Sequence, residues 1–118
     1  MPSSYDPRLL EIANDLLQQT KVKTIVWKKF ETPVFVGSYF CSFSGATVWV
    51  RYSSADHVNE YNIVIMNQDG IEVARGRSDA GFPREILEAL YEAIEAGFMK
   101  IDETLNGILE EIKKKSKE

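Results

Sequence analysis

The chain's only histidine, His57, stands in the run Asp-His-Val-Asn-Glu-Tyr, with Asp56 before it and Glu60 three positions on. An imidazole flanked by carboxylates is raw material for a metal site or an acid–base pair. A zinc site, however, draws three or four ligands from His, Cys and carboxylates, and a nucleophilic site needs its base beside a serine or cysteine. One imidazole and two loop carboxylates fall short of both, so His57 reads as a solvated loop side chain. Cys41, the only cysteine, lies in the apolar run Phe-Val-Gly-Ser-Tyr-Phe-Cys-Ser-Phe, where a thiol acts as a small hydrophobe and not as a thiolate. It also excludes an intramolecular disulfide. Neither a Gly-Lys-Ser/Thr phosphate loop nor a Gly-x-Gly-x-x-Gly turn occurs; Gly45, Gly70, Gly76 and Gly81 read as turn and link residues. No catalytic residue, no metal ligand and no cofactor is expected.

Binding chemistry is better represented. Arg75, Arg77 and Arg84 gather around one polar link, and Lys28, Lys29 and Arg51 fall among Trp27, Tyr39 and Trp49. Cations interleaved with aromatics could stack and hold single-stranded nucleic acid. The chain carries 14 basic against 18 acidic residues, a net charge of −4, and has no Lys/Arg-Gly-Phe/Tyr motif, so nucleic acid is not the expected partner. Glu85, Glu88, Glu92 and Glu95 recur at helical spacing, a stripe that is ordinarily solvated but that suits a basic partner.

These residues must be positioned by a chain of 118 residues, 44% hydrophobic and 27% charged, which is the material of one folded domain. Asp6-Pro7 opens a helix, Asp as N-cap and Pro at the first helical position. Leu9, Ile12, Ala13, Leu16 and Leu17 form its apolar face to about Thr20. From Ile25 the pattern alternates, which predicts strands near 24–30, 34–44, 46–53, 60–67 and 71–76. Their breaks fall at Thr32-Pro33, at Ser44-Gly45, in Ser-Ser-Ala-Asp-His-Val-Asn and at Asn67–Gly70. Connections this short cannot cross over, so the strands form an antiparallel meander. After the link Arg75–Gly81, Pro83 introduces a second helix with the stripe Ile86, Leu87, Leu90, Tyr91, Ile94 and Phe98. A break near Gly97–Ile101 and a cap at Asp102 predict a third, carrying Leu105, Ile108, Leu109 and Ile112, with residues 113–118 as a frayed basic tail. The expected fold is a single α+β domain: an N-terminal helix, a five-stranded antiparallel meander, and two C-terminal helices packed on the sheet.

Alternation divides the sheet into two sides. Val48, Val50, Tyr52, Ile63, Ile65, Ile71 and Val73 are read as the core side. The other side then carries Trp49, Arg51, Val64 and Met66, with Val36 and Phe40 from the second strand and Lys28 from the first. It is covered by a helix, or partly exposed without purpose as scattered apolar surface often is, or it is an interaction face centred on Trp49 and Arg51, since Trp and Arg are enriched where binding energy concentrates. Which of these it is turns on whether Trp27 points toward the helices.

The leading helix, the strand start Thr24-Ile25-Val26-Trp27-Lys28-Lys29, the turn Asn67-Gln68-Asp69-Gly70, and the helical segments Leu87-Glu88-Ala89-Leu90-Tyr91 and Ile101-Asp102-Glu103-Thr104-Leu105 together cover most of the chain. Their order resembles a pattern in small uncharacterised bacterial proteins. The resemblance implies no activity and assigns no functional residue.

The function expected is a non-enzymatic protein-interaction module, binding an unknown protein partner or itself as a homodimer through the face of Trp49, Arg51, Phe40, Met66, Val64 and Lys28. Two alternatives stand beside it: a small-ligand or sequestering domain with a pocket at Trp27, Tyr39 and Arg75, and an acidic inhibitor or immunity-type protein for a basic partner. The N-terminus, Met-Pro-Ser-Ser-Tyr-Asp, has no signal-peptide pattern, and no stretch approaches the roughly 18 apolar residues that span a bilayer. A cytoplasmic protein with no membrane contact is expected.

Overall fold

The computed structural model describes residues 5–31, 37–54 and 59–116. Helix α1 (Pro7–Lys21) starts where the sequence places it: the Asp6 carboxylate accepts from the Arg8 backbone N–H at 2.9 Å, and Pro7 fills the first turn. The Arg8 guanidinium beside that carboxylate holds its pKa down at about 2. Five strands follow in one antiparallel sheet of order β1-β2-β3-β4-β5: Lys28–Lys29, Gly37–Phe43, Ala46–Ser53, Glu60–Asn67 and Glu72–Arg77. The β2–β3 turn uses Gly45 at φ +81°, and the β4–β5 turn uses Gly70 at φ +78°. In the latter the Asn67 side-chain oxygen accepts from the backbone of both Asp69 and Ile71 at 3.0 Å, closing the turn locally.

Both helices lie on one side of the sheet. Leu9, Ala13, Leu16 and Leu17 of α1 and Leu87, Leu90, Tyr91 and Ile94 of α2 share one core with Tyr39, Cys41, Val48, Val50, Ile63 and Ile65. Trp27 belongs to it too: it is buried and donates its indole N–H to Thr20 Oγ1 at 2.9 Å, tying the first strand to the end of α1. Ile71 and Val73 do not. A β-bulge sets Ile65 opposite Ala74 but Met66 opposite Glu72, so Val73 is the extra residue and alternation slips by one. Ala74 and Gly76 take the inner side, and Ile71 and Val73 are exposed.

The expected pair of C-terminal helices is one helix, α2 (Arg84–Ser116), 33 residues long. Gly97 suggests a break, since glycine costs about 1 kcal/mol in a helix interior. No proline follows it, though, and Ile94, Phe98, Ile101 and Leu105 keep their phase across it, which an intervening loop would have shifted. Asp102 is an interior helical residue and caps nothing. A Cβ at Gly97 meets nothing within 4 Å, and its φ is not positive. Gly97→Ala is therefore expected to stabilise the protein, by about 0.5–1 kcal/mol in urea unfolding. A helix terminating there on a left-handed glycine would respond with a loss.

Candidate functional site

With both helices on one side, no described helix covers the other face of the sheet. The strand register lays that face out in rows. Lys28, Phe40, Trp49, Val64 and Arg75 stand side by side across β1 to β5. The neighbouring row is Ser38, Arg51, Asn62 and Arg77; on the opposite flank Ser42, Thr47, Met66 and Glu72 follow. Residues directly opposed in a ladder point to the same face, so these rows are one surface.

Its centre is aromatic. The Trp49 ring lies 4.7 Å from that of Phe40 and meets Phe30 edge-on at 5.6 Å. The Arg51 guanidinium sits 4.7 Å from the Trp49 centroid, within cation–π range. Val64, in the same row, is 1% exposed, yet among the described buried apolar residues it alone stands outside the helix-packed core. Phe40, Trp49 and Met66 are half-buried, and Phe30 is exposed.

The face is also cationic. Lys28, Arg51, Arg75 and Arg77 are set against Glu60 and Glu72, whereas the whole chain carries −4. Arg75 Nη2 pairs with Glu72 at 2.6 Å; Arg77 pairs with Glu60 at 2.8 Å and Asp79 at 3.0 Å. These are solvent-screened pairs that hold the side chains down without adding much stability. Burial, and then the charge of Arg75, lower the pKa of Arg51 from its ordinary value. In the polar row, Ser38 and Asn62 are 1% and 5% exposed, and Ser38 Oγ and Asn62 Oδ1 have no hydrogen-bond partner among the described residues. A buried polar atom left in that state costs about 1–3 kcal/mol.

The residues singled out for a ligand pocket lie apart: Trp27 and Tyr39 belong to the core, whereas Arg75 projects from the opposite face, and Trp27 and Arg75 line separate grooves. A cavity that sequence reasoning missed lies between α1 and the sheet. It has a volume of about 520 Å³ and is walled by Ile12, Leu16, Ile25, Phe43, Val48 and Ile65, with Asp15, Gln19 and Thr24 as its polar members. Those apolar positions satisfy helix and strand periodicity, and nothing in the sequence says that the two faces fail to close.

Asp56, His57 and Val36 lie outside the described residues. Glu60 is engaged by Arg77. Burial pushes the Cys41 thiol up to about 12, so it carries essentially no thiolate at neutral pH. The glutamates of α2 diverge in environment: Glu88 pairs with Arg84 at 3.5 Å, and Glu95 lies close enough to Tyr39 and Tyr91 to raise both phenols, adding to their burial. Among the described residues, no group of three His, Cys, Asp or Glu side chains could hold a metal ion. None of the described helices is long and apolar enough to cross a membrane. Compared with protein-family models, with curated proteins and with solved structures, the chain matches none.

Proposed function

We propose that this chain is a non-enzymatic protein-interaction module whose contact surface is the helix-free face of its sheet, and that the face binds an acidic segment of a partner protein. The observation that carries the reading is the Phe30–Phe40–Trp49 cluster capped by Arg51, flanked by the buried and unsatisfied Ser38 and Asn62. Trp and Arg placed centrally among partly desolvated neighbours are the residues in which binding energy concentrates. The surplus of Lys28, Arg51, Arg75 and Arg77 over Glu60 and Glu72 favours a partner of opposite sign and speeds its encounter.

Affinity capture from bacterial lysate, with the wild type and with Trp49→Glu and Arg51→Glu as parallel baits, tests this. Proteins held by the wild type, lost by both variants and released as salt rises support the reading. Identical captures from all three baits would remove it.

The cavity between α1 and the sheet favours a second reading, a binding domain for a small apolar ligand. Its volume is within the range of small-molecule sites, about 300–1,000 Å³, and apolar walls with a few polar groups are their usual lining. An apolar ligand at a hundredfold excess over its Kd should raise stability by about 2.7 kcal/mol, read as a thermal shift. That shift should vanish in Ala46→Phe, which fills the space from the sheet side. A shift that survives Ala46→Phe assigns the ligand elsewhere.

A further inference from the structure

The apolar stripe of α2 runs on after the domain has ended. Leu87, Tyr91 and Ile94 are buried in the core and Phe98 packs at its margin, whereas Ile101, Leu105, Ile108 and Ile112 continue the same spacing and are 50–57% exposed. Every residue from Met99 to Ser116 is exposed. At 1.5 Å per residue this half of α2 is about 27 Å of helix with no described neighbour. The radius of gyration shows the protrusion: 17.0 Å, against about 13.5 Å for a compact chain of this length.

The steps between Leu87 and Ile112 alternate strictly between four and three residues, a seven-residue repeat. That period belongs to helix-on-helix packing; a helix lying on its own sheet needs only a broad face of period 3.6. We infer that the projecting half of α2 pairs with the same segment of a second copy of this chain, the two helices running antiparallel. Self-pairing follows from the layout of the stripe. An antiparallel register confined to the projecting half sets Ile101 against Ile112 and Leu105 against Ile108 of the other copy. By two-fold symmetry the same pairs recur, giving four apolar layers and leaving none unmatched.

The direction follows from Lys115, which continues the seam one step after Ile112. Parallel helices place Lys115 against Lys115 inside the seam, two like charges in contact. The antiparallel arrangement places it beside Phe98 of the other copy, with Glu95 one turn away. It also delivers Ile112 to the groove at the root of the projecting half, a space of about 310 Å³ lined by Val26, Trp27, Phe98 and Ile101. Val26 is 79% exposed there and gains cover. A specific interface has to bury more than about 1,000 Å², which requires the root grooves to contribute together with the helix seam.

Size-exclusion chromatography with light scattering on the full chain is expected to give twice 13.4 kDa for the wild type from micromolar concentration upward. Leu105→Glu combined with Ile108→Glu should raise the dissociation constant at least about a hundredfold, each charge introduced into the seam being worth tenfold or more. Both positions are exposed in the single copy, so circular dichroism and the cooperative unfolding of the domain should be retained. Trp49→Glu should stay dimeric. Direction is read by cysteine trapping: Ile101→Cys mixed with Ile112→Cys should give a mixed disulfide, and neither variant should cross-link alone. A monomeric wild type, a Trp49→Glu monomer, or cross-linking within either single variant would each overturn the inference.

Discussion

Gly37→Ala is expected to cost about 2–3 kcal/mol, a large fraction of the stability of a domain this size. A Cβ built on Gly37 runs into the Tyr91 hydroxyl and lies 2.9 Å from its ring carbon Cζ. Tyr91 has little room to yield. It is buried at 5% exposure, with the rings of Tyr39, Tyr61 and Tyr52 at 5.5, 5.5 and 5.6 Å. Burial, with help from Glu95, raises its phenol well above the ordinary range, so it remains a neutral hydroxyl throughout the working pH range. Tyr91→Phe removes the atom met first, so the double variant should recover part of the Gly37→Ala loss. The recovery is incomplete because the ring carbons stay close. Chemical denaturation of the four proteins gives the coupling directly. Additive losses would mean that α2 does not approach β2 at this point, and with it would go the assignment of α2 to the inner face.

That assignment is what leaves the outer face available, and the second large effect is expected there. For a partner recovered by capture, Trp49→Ala should weaken binding by at least about 30-fold, the loss expected of a central hot-spot residue worth some 2 kcal/mol. Trp49 has aromatic neighbours on two sides and a guanidinium over its ring, so truncation removes three contacts together and opens the centre to water. Lys28→Ala, at the exposed margin, should cost less than about fivefold, chiefly through a slower and more salt-sensitive association rate. A flat profile, in which Lys28 and Trp49 matter equally, would point to diffuse charge attraction and not to a built interface.

Much of this surface is legible in the sequence, because a two-residue period assigns a whole strand once one member is placed. Phe40, Trp49, Arg51, Val64, Met66 and Lys28 fall on one face in the alternation, and the register sets them there. Alternation does not say which face the helices take. That depends on Trp27, whose hydrogen bond to Thr20 reaches back to a different element. Val73 reads as core because a bulge adds one residue without altering the hydrophobic pattern around it, and Ile71 does so because the pattern does not mark it as the end of the turn, outside β5. The supposed break at Gly97 reflects the weakness of one glycine against a stripe that holds its phase on both sides. Ser38 and Asn62 were invisible as site residues, since a serine and an asparagine in strands look alike whether solvated or buried. Only the three-dimensional row Ser38–Arg51–Asn62–Arg77 gives them meaning.

The two tryptophans allow the binding claim to be read at a single residue. Trp27 is buried and Trp49 is half-buried on the outer face, so a Trp27→Phe protein reports from Trp49 alone. Iodide quenching of that protein, free and saturated with its captured partner, measures whether the face is covered. Quenching that falls severalfold in the complex, with a blue-shifted emission, is the predicted result; quenching unchanged by the partner would contradict the placement of the binding surface.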